Sequence, residues 1–384
     1  MKRRDIKLCI YAISIVGALN TVGLTVIISS LVETFPEHSV TDIQMLQTLP
    51  NLFSVLAAAL TGLLLVHFSD KKIVLTSFAL LFLTGILCFF ISEYSCLFWT
   101  RILAGFAFGV QNPLKMSILS AHFSGQEKAQ ILGYQSAFSA FAGFLYNLLT
   151  GWIIQFGYQF YFLIYSVALL AFILFLFKYK TSLTPLPKTK RKSKIISHYT
   201  LGICFSTALY ALCNSAYNTN ISLHIHNYYP NSTLLTGFIS SIHPLAAAIM
   251  GLSFGYLYAH FKNRAAPLTI LIGTTGCLLI FLFPENLLIL LFFSACMGAA
   301  LVGNGQASSL LLINSVSAEY TADIIALNTL FTSLIVFFSP QIYHLLTEIL
   351  FHNFSTRLVF LCAACISIFA ALLTYLIIRK KENY

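Results

Sequence analysis

The sequence predicts an all-α membrane protein in which twelve transmembrane helices form two six-helix bundles related by pseudo-two-fold symmetry. Three observations lead to this fold class: composition, the spacing of apolar stretches and an internal repeat. Of the 384 residues, 58% are hydrophobic and only 9% are charged. Charged residues make up about a quarter of an ordinary soluble protein, so this composition excludes a soluble globular domain.

Apolar stretches long enough to cross a bilayer follow one another along the whole chain. Because a spanning helix needs about 20 mainly apolar residues, the sequence predicts helices at 7–31, 43–67, 73–94, 97–120, 131–155, 158–177, 199–223, 234–260, 267–283, 287–313, 324–346 and 357–378. The basic start of the chain resembles a signal peptide. Its apolar run is too long and lacks an obvious small-residue cleavage site, which favours a first transmembrane helix.

The positive charge of the chain is unevenly distributed. The net charge is +10, and 19 of the 22 Lys and Arg residues fall in segments that would lie on one side of the membrane. Cytoplasmic loops of membrane proteins are enriched in Lys and Arg. We therefore expect a multi-pass protein of the cytoplasmic membrane with both termini in the cytoplasm, and no nucleic-acid partner.

A basic, proline-containing segment at 178–198 interrupts the apolar pattern and predicts a cytoplasmic linker. It separates an N-terminal bundle at 1–177 from a C-terminal bundle at 199–384. Shifting the chain by 193 residues aligns the two halves without a gap from Gly62 to Phe138, and Gly105 then meets Gly298. The predicted helices and short loops coincide in this alignment, which indicates a six-helix repeat of the kind found in secondary transporters.

The fourth predicted helix, at 97–120, carries two cations on one face. At about 100° per residue, the residues Arg101, Gly105, Phe108, Asn112 and Lys115 fall within roughly 40° of one line. Buried cations are costly in a membrane and are functional candidates for that reason. We interpret Arg101, Asn112 and Lys115 as substrate-binding candidates, although both cations could instead extend toward the membrane interfaces.

Further polar residues lie within predicted helices and are also substrate-binding candidates. Their amide and phenol groups cannot face lipid without losing hydrogen bonds. The set comprises Asn20 on the first helix, Tyr210, Asn214, Tyr217 and Asn218 on the seventh, and Asn304 on the tenth. The alternative is that such groups only link helices by hydrogen bonds.

No Asp or Glu lies well inside a predicted helix, so the usual membrane-embedded proton carrier is missing. His243, on the eighth helix beside Pro244, is the candidate for proton coupling because histidine titrates near neutral pH. A purely structural histidine is the alternative. The sequence has no nucleotide-binding loop, and we expect no cofactor, metal site or catalytic residues. Cys362 and Cys365, spaced as C-x-x-C, are interpreted as packing residues.

The twelve spans, the six-plus-six repeat, the long central loop and the short outer loops resemble the major facilitator superfamily over essentially the whole chain. Two local patterns support the resemblance. Leu97, Arg101, Ala104, Gly105 and Gly109 are similar to the superfamily's fourth-helix motif, although Ala104 replaces the usual Gln. The stretch 62–72 resembles its motif between helices 2 and 3 without the Gly-Arg pair. The fifth-helix Gly-Pro signature of many drug/proton antiporters is absent from 143–151.

The resemblance implies a cavity between the halves that opens alternately to each side and is lined by helices 1, 4, 7 and 10. It also implies that Asp70, with Lys71 and Lys72, and Arg264 in the related loop, latches the inward side as a gate. We expect a monomeric secondary transporter of a small polar or anionic organic solute, with proton coupling and contacts to membrane lipids. The alternatives are a proton-driven exporter of amphipathic, drug-like compounds and a non-transporting membrane receptor or scaffold.

Overall fold

The computed structural model describes residues 3–180, 197–230, 232–316 and 320–382. Over these ranges the chain is helical with short connections, and no β-strand occurs in them. The fold divides into two compact units, Met1–Lys190 and Arg191–Tyr384. The division falls within the linker predicted at 178–198. Most of that segment lies outside the described residues, so the linker stays a prediction.

The N-terminal unit is built from seven α-helices and two short 3-10 segments, Ile154–Phe156 and Tyr158–Ser166. The helix α1 packs on α6 and α7, α3 packs on α5, and α4 packs on α5 and on the second 3-10 segment. The helices are α1 (Arg3–Val22), α2 (Ile28–Thr34), α3 (Val40–His67), α4 (Asp70–Phe90), α5 (Tyr94–His122), α6 (Gly125–Ile153) and α7 (Val167–Lys178).

The C-terminal unit contains seven further α-helices and a 3-10 turn, Lys262–Arg264. Here α11 packs on α9 and α10, while α14 packs on α8 and α10. The helices are α8 (His198–Tyr228), α9 (Thr233–Phe261), α10 (Ala265–Leu282), α11 (Leu287–Ile313), α12 (Thr321–Phe337), α13 (Ser339–Phe351) and α14 (Thr356–Glu382).

Among the described residues, eight segments are long and apolar enough to cross a membrane, or nine if the bent pair α12 and α13 forms one span. One of the eight, Thr233–Leu282, has 50 residues. A continuous helix of that length would measure about 75 Å, more than twice the hydrocarbon thickness of a bilayer. It consists of α9 and α10, separated by the turn at Lys262 (φ +48°), and therefore supplies two crossings. With α1–α2 and α8 added, helices occupy all twelve predicted spans.

Three of the predicted spans are not regular helices. The first is interrupted between α1 and α2 at Gly23, which has φ +49°. The sixth begins as the 3-10 segment Tyr158–Ser166, and the eleventh bends by 52° between α12 and α13, next to Pro340. Such bends are typical of proline, which cannot donate the backbone hydrogen bond that would continue a helix.

The break in the first span is stabilised by side chains from neighbouring helices. The side-chain oxygen of Gln47 accepts a hydrogen bond from the Leu24 amide, and the Tyr161 hydroxyl donates to the Gly23 carbonyl. Gln47 also donates to Thr25 Oγ1 at 3.2 Å. Non-helical backbone is tolerated at membrane depth only where protein or water satisfies its polar groups. Gln47 and Tyr161 meet that requirement here.

The internal repeat is visible as the same helix contact in each unit. In the N-terminal unit Gly105 of α5 packs on the backbone of Pro50 in α3. In the C-terminal unit Gly298 of α11 packs on the carbonyl of His243 in α9. The 193-residue shift that aligns the two glycines also aligns Pro50 with His243. Each unit thus uses one glycine to bring its second and fourth spans into close contact.

We expect Gly298→Ala to lower the stability of the protein, because the added methyl group would overlap the His243 carbonyl. Forced overpacking costs about 1–3 kcal/mol, more than the roughly 1 kcal/mol that Ala gains over Gly in a helix. Gly305→Ala on the same helix is the matched control, since nothing lies within 4 Å of its new Cβ. Melting temperatures in detergent should fall for the first variant and not for the second. Equal melting temperatures would contradict the close approach.

Candidate functional site

Arg101 is a fully buried cation inside the N-terminal unit. Its side chain on α5 is 1% exposed, and Nη1 donates a hydrogen bond of 2.8 Å to the Tyr165 hydroxyl. The guanidinium carbon lies 5.5 Å from the ring centroid of Phe162 and 5.3 Å from that of Tyr165. Nε and Nη2 have no hydrogen-bond partner among the described residues, and the described residues place no carboxylate in an ion pair with this guanidinium.

The other two candidates on this face of α5, Asn112 and Lys115, are not buried as Arg101 is. Asn112 is exposed and Lys115 is half-buried, although both fall on the helical line of Arg101. Their neighbour Gln111 points inward, where its Nε2 donates to Ser77 Oγ at 3.2 Å. Asn20 on α1 is half-buried, three residues before the break at Gly23. The role of Asn20, Asn112 and Lys115 in binding stays a prediction.

A polar stripe of candidates on α8 comprises Asn214, Tyr217 and Asn218. Asn214 and Tyr217 are buried and contact α11, whereas Asn218 is half-buried. Asn214 Nδ2 donates to the Met297 carbonyl at 3.2 Å, and Asn218 Nδ2 donates to Asn214 Oδ1 at 3.2 Å. The Tyr217 hydroxyl lies 2.7 Å from Ser294 Oγ. Because Ser294 gives its proton to the Ile239 carbonyl at 2.7 Å, Tyr217 is the donor in the first contact.

His243 lies directly against this stripe. Its ring stacks on Tyr217 with centroids 4.9 Å apart and planes 14° from parallel. His243 Nε2 is buried and has no hydrogen-bond partner among the described residues. The structure therefore brings the proton-coupling candidate into contact with a substrate-binding candidate.

The remaining two candidates of the C-terminal unit, Tyr210 and Asn304, are buried as well. Asn304 Oδ1 accepts a hydrogen bond of 3.1 Å from Ser308 Oγ, one turn further along α11. The Tyr210 side chain packs against Gly273 of α10. The Asn304 contact lies within α11, and the buried Tyr210 hydroxyl has no hydrogen-bond partner among the described residues. The role of both residues in binding stays a prediction.

The predicted gate residues lie at the start of α4, in the N-terminal unit. Asp70 is fully buried, accepts from the Lys71 amide at 2.8 Å and accepts from the Tyr179 hydroxyl at 2.5 Å. Lys71 Nζ donates to the Leu176 carbonyl at 2.7 Å, whereas Lys72 is exposed. Asp70 and Lys71 thus tie α4 to the end of α7, and the carboxylate lies at the positive end of a helix.

Several residues of these sites carry no clear signal in the sequence. Tyr165, which binds Arg101, lies in the 3-10 segment Tyr158–Ser166, and Tyr179, which binds Asp70, lies at the edge of the predicted linker. The spacing of residues along one helix therefore could not predict either contact. Ser294 was detectable, because the 193-residue shift aligns it with Arg101. Both repeat positions contact a tyrosine hydroxyl, but only the N-terminal one is charged.

The family model of the Major Facilitator Superfamily matches residues 13–340 and 203–384. The chain belongs to this superfamily. Members of this superfamily are membrane transporters of small molecules rather than enzymes, and this chain has their fold. No curated protein matches the chain significantly.

Solved structures of transporters share this fold over nearly the whole chain. The POT family transporter PepTSo is 11% identical with a TM-score of 0.80, covering 100% of this chain and 99% of that one. The nucleoside transporter NupG is 12% identical with a TM-score of 0.79, covering 97% and 99%. A bacterial homologue of the human lysosomal transporter Spinster, inward-facing and unoccupied, is 13% identical with a TM-score of 0.77, covering 99% and 98%. Identities this low show the fold alone.

We expect Asp70→Asn and Tyr179→Phe to change the balance between inward- and outward-open states more than the affinity for substrate. Tyr179→Phe removes the hydroxyl that donates in the contact between the start of α4 and the end of α7, and Asp70→Asn removes the charge of its acceptor. The readout is site-directed accessibility labelling from both sides of the membrane. Asp323→Asn is the matched control, because Asp323 is an exposed acid in the first turn of α12. An unchanged distribution of states in both test variants would refute the gate assignment.

Proposed function

We propose that this protein is a secondary transporter that moves a small polar or anionic organic solute across the cytoplasmic membrane by alternating access. The observation that carries the proposal is the environment of Arg101. Its charge is fully buried, and two of its nitrogens lack hydrogen-bond partners among the described residues. Leaving a buried charge unpaired is costly, and an anionic group on the solute would offset that cost.

The cluster on α8, α9 and α11 supports a polar solute. Asn214 and Asn218 form a hydrogen-bonded pair of amides on α8, and Tyr217, on the same helix, stacks on the imidazole of His243. A few converging polar groups in an apolar surrounding are typical of a small-molecule site. We propose that this cluster holds the solute and that His243 carries the coupled proton, since no carboxylate lies well inside a predicted helix.

The first experiment identifies the solute. A thermal-shift screen of anionic, cationic and neutral metabolites at two pH values gives ligands, and flux into proteoliposomes then tests them. Anionic or polar ligands with measurable flux support the proposal. Flux of amphipathic, drug-like compounds alone would favour the exporter alternative, and binding without flux would favour a receptor.

We expect Arg101→Gln to reduce transport of an anionic solute at least tenfold, the equivalent of about 1.4 kcal/mol. The glutamine can still contact the Tyr165 hydroxyl but cannot neutralise the solute. Lys115→Gln should reduce transport to a smaller extent, because Lys115 is half-buried whereas Arg101 is fully buried. Arg357→Gln is the control, since Arg357 is an exposed cation bonded to the Phe281 carbonyl. Parent-like transport by correctly inserted Arg101→Gln would refute an anion site at this residue.

We expect His243→Gln to separate exchange from proton-driven accumulation. If His243 carries the proton, the variant should still exchange labelled solute across the membrane but should not accumulate it when a pH gradient is imposed. A structural histidine predicts a different pattern, in which exchange and accumulation fall together with the folded yield. Accumulation equal to that of the parent would remove His243 from the coupling mechanism.

A further inference from the structure

The N-terminal unit contains an apolar crevice whose lining includes none of the substrate-binding candidates and, of the predicted gate residues, only Lys72. It has a volume of about 420 Å³ and lies between α3, α4 and α5. Its walls are almost entirely hydrocarbon, with Ala57, Leu60, Leu64 and Phe68 from α3 and the turn after it, Lys72, Ile73, Thr76, Ser77 and Leu80 from α4, and Phe106, Ala107 and Val110 from α5.

The polar groups on the walls are few, and one of them is already used. The Ser77 hydroxyl donates to the Val74 carbonyl at 2.8 Å and accepts from Gln111. Thr76 is exposed at the edge. An apolar wall of this kind would be unfavourable against water, and it fits a hydrocarbon chain instead. Leu60 and Phe68 on the rim are 45% and 53% exposed, so the crevice opens outward from the protein.

One charge marks one end of the crevice. Lys72 lies in the first turn of α4, and eight residues separate it from Leu80 at the far end of the lining, about 12 Å along the helix. Its neighbours are engaged elsewhere, since Asp70 binds Tyr179 and the Lys71 ammonium binds the Leu176 carbonyl. The Lys72 ammonium makes no ion pair or hydrogen bond within the described part of the chain.

We propose that this crevice is a binding site for an anionic phospholipid of the cytoplasmic leaflet. The acyl chain occupies the slot between α3, α4 and α5, and the phosphate of the head group pairs with Lys72. Charge complementarity selects the head group, because Lys72 is the only charged residue on the lining. Basic residues at the cytoplasmic ends of transmembrane helices bind anionic head groups in this way. The site is independent of the transported solute.

The test compares phosphatidylglycerol with phosphatidylcholine of the same acyl chains, added to the purified full-length protein. Native mass spectrometry counts the lipids retained, and the melting temperature reports their effect. The parent should retain phosphatidylglycerol in preference to phosphatidylcholine. Lys72→Gln should weaken that preference about fivefold, as expected for one basic residue at the surface.

Two further variants separate the head group from the chain. Thr76→Phe places a ring in the crevice from an exposed position and should reduce retention of both lipids. Lys380→Gln removes an exposed lysine at the end of α14 and should leave the preference intact. The proposal is overturned if the parent shows no preference, if Lys72→Gln binds as the parent does, or if Lys380→Gln loses as much. Melting temperatures without added lipid verify that each variant is folded.

Discussion

In the hydrocarbon interior of a bilayer, no water is available to satisfy backbone groups or to solvate charges, and the protein must do both itself. This constraint explains most of what distinguishes the structure from twelve regular helices. Where α1 ends at Gly23, the freed backbone groups are bound by Gln47 and Tyr161. Where a cation lies inside the N-terminal unit, a tyrosine hydroxyl and two aromatic rings surround it.

The same constraint makes incomplete satisfaction informative. The Tyr217 hydroxyl and Ser294 already make hydrogen bonds within their own unit. Arg101 and His243 differ, because each keeps buried nitrogen atoms without partners in the described structure. Such groups are unfavourable unless something else binds them. This is why Arg101 and His243 carry the charge-recognition and proton-coupling parts of the proposed function.

The two repeats share a scaffold but carry different chemistry. The close contact of a glycine with the second span of its unit is present in both, at Gly105 and at Gly298. The position of Arg101, however, is Ser294 in the second repeat. Each contacts a tyrosine hydroxyl, yet the charge is confined to the first unit and the imidazole to the second. The two units therefore present different polar groups on a common frame.

The fold class and the positions of the twelve spans follow from the sequence, because apolar length and the cost of exposing a backbone in lipid leave few other arrangements. The superfamily was also recognisable, from Arg101 and its small neighbours and from Asp70 in its loop.

The partners of those residues were not predictable. Tyr165 and Tyr179 are distant from Arg101 and Asp70 along the chain, and only the packing of α5 and α4 on other segments brings them together. Helical periodicity placed Arg101 and Asn112 on one line, but neighbouring helices bury the first and leave the second exposed. The sequence pattern of one helix determines which of its side chains share a face. The environment of each of those side chains depends on which neighbouring segments pack against the helix at that side chain's position.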